Sequence, residues 1–402
     1  MEMNAFVHFG PNTFTGEEWG NGREDPALFN PTAFDARQWT RAFKAAGFKG
    51  IVLTAKHHDG FALWPSRQSA HTVARSAWKG GGGDVVREVA DAARAAGLKF
   101  GVYLSPWDRN HPTYGTPEYN RVFAAMLEEV LGGYGPVFEV WFDGANGEGP
   151  NGKRQVYDWP LFIATVRRLQ PQAVMFSDAG SDIRWVGNER GEAPLTVWST
   201  IDRSRYEPGT PLSHELGEGT PYAADWVPPE CDVSIRPGWF YRASEDSRVK
   251  SASRLFALYE QSVGRNCTLL LNVPPDRRGL IADPDQAALS GMRERLDRVY
   301  GRDLASRATV ATADRTTTLR LPAAATFDRV VVQEDIGAGQ SIAGFEVEVE
   351  ADGRWRRIAT GSTVGYKRIL PVPTTTTATL RVVVLDTHGT PRISRVSLHR
   401  AE

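Results

Sequence analysis

Asp143 closes an apolar run, Val137 to Phe142, and is followed at once by the glycine-rich turn GANGEG. Asp and Gly are poor strand formers, and the turn alone would end the strand, so an ionisable acid at this point asks for a chemical reason. Two more acids, Glu189 and Glu192, lie in DIRWVGNERGEAP. Cleavage of a glycosidic bond needs two carboxyl groups. One stays ionised as nucleophile or base, and the other has its pKa raised so that it can protonate the leaving oxygen. Asp143 is the candidate for the first role. For the second, Glu189 follows Trp185, Val186 and Gly187, apolar surroundings that favour the protonated form, whereas Glu192 lies closer to the exit of the loop. Spacing leaves both open and favours Glu189.

The ends of other strand-like runs are equally polar: His8; Lys56, His57, His58 and Asp59; Tyr103, Trp107 and Asp108; Asp178; Asp202 and Arg203; Arg236 and Trp239. Buried charges without partners are costly, so stability gives little reason to collect so many there. The His57-His58-Asp59 run could bind a metal, but adjacent strand residues point opposite ways and no HxH or HExxH spacing is present. Trp19, Trp64, Trp107 and Trp239 are either ordinary core or stacking surfaces for a sugar. With no phosphate loop and no nucleophile elbow, carboxylates, histidines and aromatics together point to a polyol or sugar as the ligand.

Eight strand-like runs are spaced to carry these groups: 5–10, 50–61, 99–110, 137–145, 173–180, 195–202, 231–241 and 266–276. Amphipathic helical segments alternate with them. In DVVREVADAARAAG, Val85, Val86, Val89, Ala92, Ala93 and Ala96 share one face, Asp84 can cap the start and Gly97 the end. Near-continuous apolar strands alternating with helices imply a parallel sheet coated by helices. Eight units over residues 1–302 favour a closed (β/α)8 barrel, of the TIM-barrel class, over an open doubly wound sheet. In such a barrel the site sits at the carboxyl ends of the strands, which accounts for Asp143. From residue 303 to 402 helical patterning stops and short alternating runs indicate a β-sandwich, with a hairpin turn at Asp352-Gly353 and a polar TTTTAT tract. That sandwich either binds carbohydrate or braces the barrel.

A net charge of -1 offers no field for nucleic acid or an anionic membrane, and no run is long and apolar enough to span one. Cys231 and Cys267 form no CxxC pair and read as buried free thiols. MEMNAFVHFG carries no signal-peptide pattern, and with only four residues before the first strand it stays open whether an upstream segment was trimmed. Exported, periplasmic and cytoplasmic locations stay equally open, as does the oligomeric state.

FVHFGPNTFTGEEWG, TAKHHDGFALWPS, YLSPWDRN, VWFDGANG, RWVGNERG and WVPPECDVSIRPGWFY, taken in order, resemble the α-L-fucosidases of glycoside hydrolase family 29. The resemblance implies a barrel followed by a β-sandwich, a retaining reaction without cofactor or metal, and a fucosylated oligosaccharide or glycan as substrate. It assigns Asp143 as nucleophile and Glu189 as general acid/base. His8, His57, His58 and Tyr103 would hold the fucose hydroxyls, with Trp64 and Trp239 as walls against the ring and its methyl group. The RWVGNE signature resembles the branch that prefers α-1,3- and α-1,4-linked fucose on branched glycans. A catalytically silent lectin and a metal-dependent hydrolase built on the histidine pair are the competing readings; the first has no use for two acids, and the second would lose activity with chelator.

Overall fold

The computed structural model of the protein describes residues 1–178, 180–209 and 213–401. Eight parallel strands close into a barrel in the order β1 (Met3–Val7), β2 (Gly50–Lys56), β3 (Lys99–Leu104), β4 (Glu139–Phe142), β5 (Val174–Ser177), β6 (Ile183–Trp185), β9 (Pro229–Ser234) and β10 (Thr268–Asn272). β7 (Thr200–Ile201) and β8 (Asp225–Trp226) form a small antiparallel ribbon outside it. β1 pairs with both β2 and β10, which completes the ring. The helices are α1 (Pro11–Thr15), α2 (Ala36–Ala45), α3 (Val85–Ala96), α4 (Pro117–Gly133), α5 (Trp159–Leu169), α6 (Ser213–Glu218), α7 (Ala252–Gln261) and α8 (Asp283–Tyr300). α3 illustrates the local logic. The Asp84 carboxylate accepts from Arg87 N at 2.9 Å, Gly97 ends the helix at φ 72°, and Val85, Val86, Val89, Ala90, Ala92 and Ala93 are buried.

Both faces of each strand are covered, so the two-residue period sorts side chains into two cores. Ala5, Val7, Ile51, Leu53, Val102, Val140, Leu269 and Leu271 face the helices. Phe6, Val52, Tyr103, Trp141, Phe176 and Leu270 fill the barrel. Trp141 stacks on Phe176 with ring centroids 3.9 Å apart. Two residues beyond this plug, on four of the strands, come His8, Asp143, Asp178 and Asn272. The alternation that fills the barrel therefore also aims these four toward its mouth.

The sixth strand differs from expectation. It is Ile183–Trp185, which pairs with Phe176 and Ser177 on one side and with Pro229 and Glu230 on the other. The 195–202 run instead ends in the ribbon, where Asp202 accepts from Ser204 N and Arg203 pairs with Asp225 at 2.8 Å, so neither stands at the barrel mouth. Three residues cannot display a period, and among the described residues no helix separates β5 from β6. Asp182 fixes the short crossover by accepting from Met175 N at 2.7 Å and from the Arg167 guanidinium at 2.6 Å.

The two cysteines are also corrected: Cys231 and Cys267 form a disulfide, with Cα atoms 6.1 Å apart. Their separation of 36 residues carries no signal in sequence; β9 and β10 are neighbours, and the register that sets Leu269 beside Cys231 brings Cys267 within reach. Closing a loop of that length restricts the unfolded chain by about 4 kcal/mol in the chain-entropy account. Replacing both cysteines with serine, or adding reductant, is expected to lower the denaturant midpoint accordingly. An unchanged midpoint would mean that the thiols are unpaired in solution.

The C-terminal sheet contains β11 (Thr309–Ala313), β12 (Thr316–Glu334), β13 (Ile342–Ala351), β14 (Arg354–Gly361), β15 (Arg368–Thr387) and β16 (Ile393–His399), all antiparallel. β12 shifts register against β15 between Arg320 and Ala325. One core collects Leu319 and Leu321 before that break with Val330 and Val332 after it, so the sheet folds over on itself as a sandwich. Asp352 and Gly353 turn the β13–β14 hairpin at φ 52° and 72°, and the threonine tract lies within β15. Val331 and Ile369 reach into the outer core of the barrel. Arg329 pairs with Glu260 on α7 at 2.7 Å, Thr363 Oγ1 accepts from Val197 N at 3.0 Å, and Arg368 donates to Leu195 O at 2.6 Å.

Candidate active site

Asp143 sits just past β4 with its side chain a quarter exposed. Its Oδ2 accepts from the Tyr103 hydroxyl at 2.9 Å and its Oδ1 from Ala145 N at 2.8 Å. Each oxygen is thus steered by a neutral donor, with no cation spent on the carboxylate. Gly144 follows because nothing larger fits: a Cβ there would lie 2.0 Å from Asp178 Oδ2. Asp178, at the end of β5, is raised to about 6 by burial and then by the charge of Asp143, and it accepts from Gly209 N at 3.0 Å.

Three imidazoles lie beside Asp143, His8 from the end of β1 and His57 and His58 from the end of β2. Burial holds His8 down to about 3 and His58 to about 4, the Asp143 charge opposing the latter, and holds His57 well below the usual histidine range. All three are neutral near pH 7 and suit the hydroxyls of an uncharged sugar. His8 Nδ1 lies 2.9 Å from Asn272 Oδ1, which leaves Nε2 as an acceptor. His58 Nδ1 lies 2.7 Å from Ser105 Oγ, itself donating to Trp107 O, so His58 Nε2 faces Asp143 Oδ2 across 3.8 Å. His57 Nδ1 is buried without a partner, amid ring contacts with His8, His58, Tyr103 and Phe240. An orphaned polar atom at that spot is a place for a ligand hydroxyl. Asp59 turns away from the pair to accept from Phe61 N at 2.6 Å. Among the described residues no group of three His, Cys, Asp or Glu side chains could hold a metal ion.

Glu189 lies in the loop after β6, on the exposed rim, and its Oε2 accepts from Trp239 Nε1 at 3.4 Å. Its carboxyl is raised above the ordinary glutamate range, by desolvation first and then by the charges of Asp143 and Glu18. Glu192 points elsewhere, paired with Arg254 at 2.5 Å. Trp239 packs beside His8 at 5.0 Å between ring centroids, its backbone pinned by Glu18 through N and by Asn272 through O.

The structure does not bring Trp64 to this group. That indole is 1% exposed in the outer core and donates to Glu129 on α4 at 2.9 Å. The tryptophan that fills the corresponding place at the mouth is Trp19, 56% exposed and edge-on to His58 and Trp107. Other polar strand ends turn out to be framework. Lys56 and Asp108 form a buried pair at 3.2 Å that ties the end of β2 to the loop after β3, and Arg236 is clamped by Asp285. Asn272, Ser105 and Phe240 escaped notice, although Asn272, the one polar residue ending the apolar run LLLN, carried a readable signal.

This geometry has relatives. A family model described as alpha-L-fucosidase matches residues 5–301. Alpha-L-fucosidase 1 of Arabidopsis thaliana is 41% identical, over 99% of this chain and 85% of its own length. The crystal structure of a glycoside hydrolase 29 family member from an unknown rumen bacterium is 42% identical with a TM-score of 0.95, covering 100% of this chain and 76% of that one. A Ruminococcus gnavus GH29 fucosidase in complex with fucose is 30% identical with a TM-score of 0.91, covering 100% of this chain and 93% of its own.

Proposed function

The chain belongs to the α-L-fucosidase family and is a glycoside hydrolase; on that premise we propose that it releases α-1,3- and α-1,4-linked L-fucose from branched oligosaccharides with retention of configuration. Asp143 attacks the anomeric carbon while Glu189 gives its proton to the departing glycosidic oxygen, which leaves a fucosyl ester on Asp143. Glu189, now ionised, takes a proton from water, whose oxygen displaces Asp143 and returns the sugar as the α anomer. One observation carries this division of roles: Asp143 is met by neutral donors on both oxygens, whereas Glu189 is pushed toward its protonated form, by desolvation first and then by the charge of Asp143.

His8, His57, His58 and Tyr103 supply hydrogen bonds for the fucose hydroxyls, and Trp239 with Trp19 supplies apolar surface. The linkage preference rests on the resemblance of the RWVGNERG and WVPPECDVSIRPGWFY motifs, and is supported by the exposure of Glu189, whose carboxylate accepts from the half-buried Trp239 beside it. Residues 1–302 act as the catalytic unit, and residues 303–402 brace it through the contacts of Arg329, Thr363 and Arg368.

A panel of α-1,2-, α-1,3- and α-1,4-fucosyl oligosaccharides, with the first-formed anomer followed by NMR, tests both parts. Lewis-type trisaccharides are expected to be cleaved far faster than an α-1,2-fucosyl disaccharide, with α-L-fucose appearing first. Equal rates on the two linkages would remove the specificity, and initial β-L-fucose would remove the covalent intermediate.

A further inference from the structure

β9 carries two acids on its inward face, Glu230 and Asp232, both buried and neither in an ion pair among the described residues. Each instead accepts from an indole. Trp141 Nε1 donates to Glu230 at 3.1 Å and Trp185 Nε1 to Asp232 at 2.8 Å. Trp185 is the last residue of β6 and begins the arc that carries Glu189. The arc is fastened to β9 at both ends, by Val186 N donating to Glu230 O at 3.0 Å and by the bridge between Arg190 and Val233. Asp232 is the β9 side chain bonded to its first residue.

We propose, on the reading of Glu189 as acid/base, that Asp232 is a positioning residue. As an uncharged carboxylic acid it holds the Trp185 indole, and through it the arc that presents Glu189. An ionised carboxylate in this place would have no cation to offset its burial. Burial, followed by the charge of Glu189, raises Asp232 well above the usual carboxylate range. The charges that bear on the two carboxyls are acidic: Glu189 and Glu230 on Asp232, with Glu139 of β4 bonded to Glu230, and Asp143 and Glu18 on Glu189. The nearest cations are turned to other acids, Arg190 of the arc out in solvent 4.0 Å from Glu192 and Arg242 paired with Glu18 at 2.6 Å. A neutral Asp232 leaves Glu189 able to ionise after giving up its proton, which the second half of the reaction requires. At 3% exposure it is too enclosed to serve the leaving group itself.

The experiment compares a fucosyl glycan with an activated aryl fucoside on Asp232→Asn, Asp232→Ala, Trp185→Phe and, alongside, Glu189→Gln. Asn keeps the shape, the neutrality and the acceptor, so Asp232→Asn should stay near wild type on both substrates. Asp232→Ala and Trp185→Phe break the link and should lower kcat/KM on the glycan by about 10- to 100-fold, part of what a well-placed general acid supplies, while the aryl fucoside changes little. Equal losses on the two substrates would reduce Asp232 to barrel packing and overturn the proposal, as would an Asn variant no better than Ala, or no loss in Ala and Phe. If Asp232→Ala does not fold, Trp185→Phe and Asp232→Asn decide the matter. Absence of the glycan-selective loss in Glu189→Gln itself would fell the acid/base reading and this proposal with it. Its presence there without a counterpart in Asp232→Ala and Trp185→Phe would fell this proposal alone.

Discussion

Asp143→Ala and Asp143→Asn will lower turnover of every fucoside by several orders of magnitude while the protein stays folded. The side chain stands past the strand end with part of its surface in solvent. Its removal costs the fold two hydrogen bonds, from Tyr103 and Ala145, and leaves no cation stranded. The chemistry, by contrast, loses the atom that bonds to the anomeric carbon. Azide can enter the space vacated in the Ala variant, attack from the same face and give β-fucosyl azide with recovery of activity. Product identity by NMR, with a circular dichroism spectrum matching wild type, checks the result; a purified, folded variant with unchanged turnover would falsify the assignment.

Glu189→Gln will divide substrates by leaving group. A sugar alkoxide departs poorly without a proton, whereas an activated aryl anion departs on its own, so glycan cleavage should fall by about 10²- to 10⁴-fold and the first step on the aryl fucoside far less. Because the covalent intermediate still forms, azide should now yield α-fucosyl azide, the opposite anomer from the Asp143 rescue. The pH profile should change in the same variant. Glu189 must hold its proton for the first step, so glycan cleavage by wild type is lost as pH rises through the group's pKa, which lies above the ordinary glutamate value. That alkaline limb should vanish for the aryl substrate in Glu189→Gln. Glu192→Gln should behave as wild type, since Arg254 already engages that carboxylate. The reverse pattern between the two variants would move the acid/base three residues along.

What the chain discloses in advance follows from which physical rules act locally. The inward residues could be counted from β4, because an apolar strand with period two leaves Asp143 no other direction once Trp141 points in. The caps of α3 were equally legible, since Asp84 and Gly97 act within one turn of the helix they bound. β6 was not, being three residues long and joined to β5 by a crossover that depends on Arg167 and Asp182 from separate elements. The apolar run at 195–202 outweighed it on propensity and belongs outside the barrel. The cysteines were misread for a related reason: adjacency of β9 and β10 is a property of the closed ring. Trp64 was drawn toward the ligand by its place in TAKHHDGFALWPS, yet the chain turns after Asp59 and sends the indole to Glu129. What sets Glu192 apart from Glu189, its pairing with Arg254 sixty-odd residues away, could not be read from spacing.

Among the described residues, the passage from β6 to β9 contains a ribbon, a three-residue 3-10 turn at Arg203–Arg205 and the short α6, where much of the barrel carries a long helix. Leu195, Val197 and Asn266 in this quarter meet Arg368, Thr363 and Tyr366 of the C-terminal sheet, and Val331 and Ile369 enter the outer core. The sheet thus stands in for missing coat, a borrowed wall on the side of the ring that bears Glu189. Two units that look interchangeable on paper are therefore committed to each other. A chimera that treats the sheet as a detachable accessory would strip the partners of Leu195, Val197 and Asn266 and open the outer core of the barrel on the flank that carries the Glu189 loop.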